Sequence, residues 1–527
     1  MSSSGIDRAF ERRLATLINT REPRVLQNGL KGVEKESLRV SADGRIEHSP
    51  HPLALGSALA HEHITTDYSE ALIELVTPAF RESWQLLQYL CDLHQFVYRH
   101  LGEQLLWATS MPCMLTGDAE IPIARYGRSN IGQMKEVYRL GLGNRYGRMM
   151  QAISGVHFNY SFPQTFWPVL AEVLQESRAE QEFISAQYFS LLRNYRRHGW
   201  LILYLFGNSP ALCSSFVRGR DHQLETFASG TLYAPYATSL RMSDLGYRNK
   251  SQAGVQISVN SLDEYVRDLT AAVSTPHPEY QKLGVKVDGE YRQLNANLLQ
   301  IENEYYSYIR PKRVARSGEH PSQALRRGGV EYVEFRALDV SAFDPVGVNQ
   351  NKLRFLEAFA ALCVLKQSDP IDASEQAHLD ANHAIVARRG REPGLKLNRN
   401  GRPVELRTWA LELIDSMRGI CELLDEGDER KPYMAALDLQ QTKIDEVDRT
   451  PSARTLQELR TTGESFAQFA LRMSRVHKAY FLDLYPPNEQ RLAEFSAEAA
   501  ASLERQAQIE AADDMTFDQF LREYFAR

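Results

Sequence analysis

Apolar side chains recur every three to four residues over Trp84 to Leu101, Glu172 to Tyr195, Val348 to Leu365, Val404 to Leu424 and Thr455 to Tyr480. That spacing places them on one side of a helix. Between Gly32 and Val40, Ile153 and Ser161, Leu294 and Glu304, and Val330 and Leu338 the alternation runs every second residue, the period of a strand. Leu72 to Thr77 fits either element, and Pro78 and Gly328-Gly329 supply turn signals at strand ends. The tail from Glu489 to Arg527 is rich in Ala, Glu and Gln, which predicts helix rather than disorder. The pattern predicts an α+β protein. Residues 1–345 carry the sheet, and residues 346–527 form a mostly helical part packed on it.

Four of the predicted strands place polar groups where a second apolar face would stand. An extended backbone puts Glu34 and Glu36 on one face, His157, Asn159 and Ser161 on another, and Glu334 with Arg336 on a third. Gln300, Glu302 and Glu304 alternate in the same way. Each segment alone reads as the wet side of an antiparallel sheet. Together they concentrate carboxylates, which repel one another and call for cations. Hard oxygen ligands with one imidazole suit Mg²⁺ or Mn²⁺, and magnesium commonly bridges nucleotide phosphates. The chain has no Gly-rich Lys-Ser/Thr phosphate loop, and Gly141-Leu142-Gly143 is too short to stand for one. Arg139, Arg241 and Arg336 lie in apolar or aromatic surroundings, where arginine either clamps a carboxylate or phosphate or makes a structural ion pair. Tyr138, Tyr247 and Tyr306 read on pattern alone as core aromatics.

Composition narrows the partners. With 61 basic against 67 acidic residues the formal net charge is −6, so nucleic acid and anionic membranes have no general attraction for the chain. The basic runs Arg193 to Arg197 and Arg388 to Arg391 are short and read as solvated faces or local anion contacts. Met1 to Arg13 lacks the apolar core of a secretory signal, and no apolar run reaches the roughly 18 residues of a membrane helix. Cys91, Cys113, Cys213, Cys363 and Cys421 are scattered and form no Cys-x-x-Cys pair. That usage fits a reducing compartment, so the expected location is the cytoplasm.

Several long blocks carry a resemblance. They are Gly-Val-Glu-Lys-Glu-Ser-Leu-Arg-Val from Gly32, Thr-Thr-Asp-Tyr-Ser-Glu-Ala-Leu-Ile-Glu from Thr65, Ser-Met-Pro-Cys from Ser110 and Asn-Arg-Tyr-Gly from Asn144. Further along come Ile-Ser-Gly-Val-His-Phe-Asn from Ile153, Leu-Arg-Met-Ser-Asp-Leu-Gly-Tyr-Arg-Asn-Lys-Ser from Leu240 and Gln-Ile-Glu-Asn-Glu-Tyr-Tyr from Gln300. Ile-Arg-Pro-Lys-Arg-Val-Ala-Arg-Ser-Gly-Glu from Ile309 and Gly-Gly-Val-Glu-Tyr-Val-Glu-Phe-Arg from Gly328 complete the set. In these blocks the chain resembles the glutamate–cysteine ligases of proteobacteria, from about Gly29 to about Leu365 and less distinctly to the C-terminus.

The resemblance implies a glutamine-synthetase-like core, with an antiparallel sheet curved into a funnel and helices behind it. It implies Glu34, Glu36, Asp67, Glu74, His157 and Glu334 as magnesium ligands. Tyr138, Leu142, Gln151, Arg241, Tyr247 and Tyr306 would line the cysteine site, and Arg139 and Arg336 would face the transferring phosphoryl group. Lys35 stands where the family usually has arginine, with its side chain directed away from the two glutamates. The implied activity is ATP-dependent joining of the glutamate γ-carboxylate to the cysteine amine, the first step of glutathione biosynthesis, by a monomer that needs Mg²⁺, with Mn²⁺ as a substitute. Two other readings stay open: a ligase of the same superfamily acting on another amine, and a module that binds nucleotide or glutamate without catalysis. The second would be expected to have lost the metal carboxylates, which this chain retains.

Overall fold

A computed structural model describes residues 7–20, 24–247, 255–316 and 318–526. Arg248 to Ser251 of the Leu240 block, Ser317 of the Ile309 block, and Met1 to Ile6 lie outside the described residues. The centre is a seven-stranded, wholly antiparallel sheet. Its strands are β1 (Leu30–Val40), β2 (Ile64–Thr66), β3 (Leu72–Val76), β4 (Leu105–Leu106), β5 (Gly155–Ser161), β6 (Ile309–Lys312) and β7 (Tyr332–Asp339). They lie in the order β6-β7-β5-β1-β3-β2, with β4 paired to the far end of β1. A register shift between Phe335 and Leu338 interrupts the β5–β7 ladder, the kind of irregularity that bends a strand.

The expected alternation is present. Val33, Val156, Phe158, Tyr160, Val333 and Phe335 are fully buried on the back of the sheet. Helices Ser83–His100, Glu180–His198, Trp200–Phe206 and Gln350–Leu365 cover that side. One continuous apolar core runs from Phe10 through the back of the sheet to Ala499, so residues from the C-terminal part share it. Leu72 to Thr77, ambiguous in sequence, pairs as a strand through Val76.

Three expectations needed correction. Glu172 to Tyr195 is two helices, Phe166–Leu174 and Glu180–His198, because Gln175 turns left-handed at φ 53°. Thr455 to Tyr480 likewise divides into Pro451–Thr462 and Phe466–Asp483 at Gly463, a left-handed cap suited to glycine. Leu294 to Glu304 is irregular with a single 3₁₀ turn at Glu302–Glu304. Its asparagines take the backbone's partners, Asn295 bonding the Gln300 carbonyl and the Asn297 amide, and Asn297 the Val273 carbonyl. Glu302 accepts from the Ser322 amide at the start of the 321–328 helix, and Glu304 pairs with Arg145 at 3.0 Å. These two carboxylates hold structure together.

Candidate active site

The polar face of the sheet opens onto a cavity of about 690 Å³. Eleven of the fourteen residues singled out in the sequence line it: Glu36, Asp67, Tyr138, Arg139, Leu142, Gln151, His157, Arg241, Tyr247, Tyr306 and Arg336. Glu34, Glu74 and Glu334 are not in the lining but adjoin it on the same sheet face. Strand register explains the cluster: Glu34 is opposite His157, Glu36 opposite Glu74, and Glu334 opposite Asn159. His157 Nδ1 is 3.0 Å from Glu34 and 3.3 Å from Glu334, and its Nε2 is 3.9 Å from Glu36. Asn159 donates its amide to the other oxygen of Glu34 at 2.9 Å.

The carboxylates are divided by their neighbours. Burial pushes Glu74 well above the ordinary carboxylate range, and Glu34, Asp67, Glu36 and Glu334 push it further. Burial and then Asp67 raise Glu36 against the pull of His157 and Arg241. Glu334 is buried and Glu34 partly so, yet both titrate below their ordinary value. His157 and Lys312 outweigh burial at Glu34, and Arg336, Lys312, His157 and Arg310 do so at Glu334. One ligand atom each from Glu34, Glu74 and His157 falls within a 4.8 Å span. Several carboxylates raised by one another, with one imidazole among them, make a donor set that fits Mg²⁺ or Mn²⁺.

Arg310 and Lys312 belong to this site and were not singled out from sequence. Lys312 Nζ lies 3.4 Å from Glu334, and Arg336 donates to the other oxygen of Glu334. The signal was present as Ile309-Arg310-Pro311-Lys312, a strand with two cations on one face. Arg139 lines the cavity beside Asp67, bonding the main-chain oxygens of Asp67 and Lys135 with its guanidinium 4.6 Å from the Tyr126 ring centre.

The other end of the cavity is aromatic. The 130–146 helix brings Tyr138, Arg139 and Leu142 to one side. It tolerates Gly141 because a Cβ there would strike the Gln300 side chain, which donates to the Tyr138 carbonyl at 3.2 Å. Tyr247 and Tyr306 pack with ring centres 5.0 Å apart and planes tilted by 30°, and Tyr306 donates to Gln151 at 3.1 Å. The Arg241 guanidinium is 4.9 Å from the Tyr247 ring centre. It passes so close to β5 that any Cβ on Gly155 would collide with it. Arg241 Nε and Gln151 Nε2 are buried without a hydrogen-bond partner, as donors kept for a ligand are. Lys35 points to the back of the sheet, where it meets Ser37 and lies 3.1 Å from His94 Nε2, and burial brings it down to about 7.

A sheet facing its carboxylates, imidazole and arginines into a cavity with an aromatic far end defines a glutamine-synthetase-like enzyme of the carboxylate–amine ligase class. The glutamate–cysteine ligase family model matches residues 14–386. The glutamate–cysteine ligase of Alcanivorax borkumensis is 47% identical over 524 residues, covering 98% of this chain and 99% of that protein. That of Shewanella oneidensis is 49% identical, covering 94% and 95%. The chain therefore belongs to the glutamate–cysteine ligase family. The crystal structure of the Francisella tularensis glutamate–cysteine ligase in complex with AMP superposes with a TM-score of 0.89 at 35% identity, covering 95% of this chain and 98% of that one. A bifunctional glutathione synthetase from Pasteurella multocida shares the fold at a TM-score of 0.73 and 23% identity, covering 92% of this chain and 58% of that one. Among the described residues no helix is long and apolar enough to cross a membrane.

Proposed function

We propose that the chain joins the γ-carboxylate of glutamate to the amine of cysteine at the expense of ATP, giving γ-glutamylcysteine, ADP and phosphate. The observation that carries this reading is one cavity with two chemically distinct ends. Carboxylates with Arg139 and Arg336 line one part of it, and Arg241 among Tyr138, Tyr247 and Tyr306 lines another. A carboxylate is a poor acyl donor because its leaving group would be oxide. In the first step an oxygen of the glutamate γ-carboxylate attacks the γ-phosphorus of ATP and ADP departs. In the second, the cysteine amine attacks the acyl carbon and phosphate leaves.

Phosphoryl transfer asks mainly for positioning and charge neutralisation. Arg139 and Arg336 face the transferring group, and no protein nucleophile is required. Glu34, Glu36, Asp67, Glu74, His157 and Glu334 would hold Mg²⁺, which neutralises phosphate charge when bound. Arg241 takes the cysteine carboxylate, and Tyr138, Leu142, Gln151, Tyr247 and Tyr306 enclose the rest of that substrate. The working form is a cytoplasmic monomer. The test is phosphate release from ATP with glutamate, with and without cysteine. Sustained release that requires cysteine supports the reading. Equal turnover with an unrelated amine, or release indifferent to any amine, would sink it.

A further inference from the structure

Arg241 is 1% exposed; its Nη2 donates to the Arg336 carbonyl at 3.1 Å and its Nη1 to Met242 Sδ at 3.2 Å, and a buried anion stands behind it. Asp339 closes β7 and is 2% exposed. One of its oxygens accepts from the Asn208 amide and the Ser209 hydroxyl, both at 2.7 Å. The other accepts from the Ser239 hydroxyl at 2.9 Å and lies 3.7 Å from Arg241 Nη1. The three hydrogen-bond donors are neutral, so Arg241 is the countercharge for this buried anion. The same cradle fixes the backbone beside it. Ser209 Oγ accepts from the Arg241 amide at 3.2 Å, and Ser239 Oγ accepts from the Met242 amide at 3.3 Å, capping the Leu240–Met242 turn.

We propose that Asp339 is a positioning residue for the acceptor amino acid, holding Arg241 so that its unpartnered Nε–H meets the cysteine carboxylate. This rests on the reading of Arg241 given above. With Asp339 neutral the guanidinium keeps only neutral partners, the Arg336 carbonyl and Met242 Sδ, and the anion left acting on it is Glu36, which already interacts electrostatically with it on the metal side of the cavity. Asp339 opposes that collapse from behind. Without it Arg241 would turn toward Glu36, and the cysteine site would lose its fork while the glutamate and ATP sites kept their groups. The substitution Asp339→Asn retains shape and one acceptor oxygen, turns the other acceptor into a donor, and removes the charge.

The experiment is steady-state kinetics on Asp339→Asn, Arg241→Lys and the double variant, with thermal unfolding of each. For Asp339→Asn a rise of about tenfold in the cysteine KM is expected, with glutamate and ATP KM within about twofold. On the Arg241→Lys background the same change should add less than about twofold, because it acts through the residue already altered. A proportional rise in all three KM values, an unchanged cysteine KM, or a full tenfold effect surviving on that background would overturn the proposal. If Arg241→Lys itself left the cysteine KM unchanged, the reading of Arg241 would fail instead. Should Asp339→Asn not fold, Ser239→Ala removes one of its hydrogen bonds and keeps its charge. A selective rise of about threefold in the cysteine KM is then expected, and no change would overturn the proposal.

Discussion

Glu34 and His157 face each other across β1 and β5, with Nδ1 3.0 Å from the carboxylate. The pair anchors the metal set, since Glu34, Glu74 and His157 each place a ligand atom within one 4.8 Å span. Glu34→Gln, Glu36→Gln and Glu334→Gln keep side-chain volume and remove an anionic oxygen ligand. Each is expected to lower kcat by more than about tenfold at saturating magnesium, a barrier change above ~1.4 kcal/mol. Circular dichroism should show the fold retained. A variant keeping more than a tenth of its turnover would take that residue out of the set.

Behind the sheet, Lys31 Nζ lies 2.9 Å from both oxygens of Glu357, and both side chains are buried. Tyr433 donates to the same carboxylate at 2.6 Å. The network ties β1 to two helices from the C-terminal part, Gln350–Leu365 and Pro432–Asp445. Glu357→Gln leaves the ammonium buried without its countercharge, which typically costs about 3–5 kcal/mol. Chemical denaturation should show a loss of that size, while the KM values of the surviving folded enzyme stay close to the parent's. A loss under about 1 kcal/mol would mean that water or another group satisfies Lys31.

Much of this site was legible because strand alternation is a rigid code. Once Val156, Phe158 and Tyr160 are assigned to the core, His157 and Asn159 must face the other way. The same logic separated Glu34 and Glu36 from Lys35. Asp67, Glu74, Leu142 and Gln151 came only through the family resemblance: Glu74 and Gln151 sit on elements of five and four residues, Asp67 follows a strand's end, and Leu142 is an apolar residue that a helix of 17 residues does not set apart. Glu302 and Glu304 misled for the opposite reason. Their alternation looked like strand, but the Asn295 side chain takes the Gln300 carbonyl and the Asn297 amide, and the segment's backbone makes only an isolated bridge from Asn297 to Pro276 rather than a ladder. Asp339 was invisible as a partner of Arg241 because nearly a hundred residues separate them, and only the packing of β7 against the Leu240–Met242 turn brings them together.

Lys443 offers a pH-dependent test of the helical part. Burial, and then Lys352, bring it down to about 7 from the ordinary 10.5. It donates to Gln440 at 2.7 Å and to the Leu205 carbonyl at 3.3 Å, with the Phe206 ring centre 5.0 Å away. Below about pH 7 it is charged both folded and unfolded, so the full cost of burying the charge is present. Between about 7 and 10.5 the unfolded chain holds the extra proton, and stability rises with pH. Lys443→Met should therefore raise the melting temperature more at about pH 6 than at about pH 9.5, after correction for the parent. A difference that does not change with pH would show that Lys443 stays charged in the folded protein.

The sequence of bond changes has its own test. If an acyl phosphate forms, one oxygen of the glutamate γ-carboxylate bonds to the γ-phosphorus and stays with phosphate when the amine displaces it. Glutamate carrying heavy oxygen in that carboxylate should then deliver one labelled atom to each phosphate released. Direct attack of the amine on the free carboxylate would send the labelled oxygen to water. The arrangement favours the first route. Arg139 and Arg336 line the cavity beside the carboxylate group, and burial does not deprive Arg336 of its charge, since Glu334, Glu34 and Glu36 raise it above the ordinary guanidinium value. Fixed cations of this kind stabilise charge on a transferring phosphoryl group, whereas a direct displacement would have no use for them. The measurement is the mass distribution of phosphate released during cysteine-dependent turnover. One labelled oxygen per phosphate is expected, and unlabelled phosphate accompanying normal dipeptide formation would overturn the two-step route while leaving the metal and substrate assignments standing.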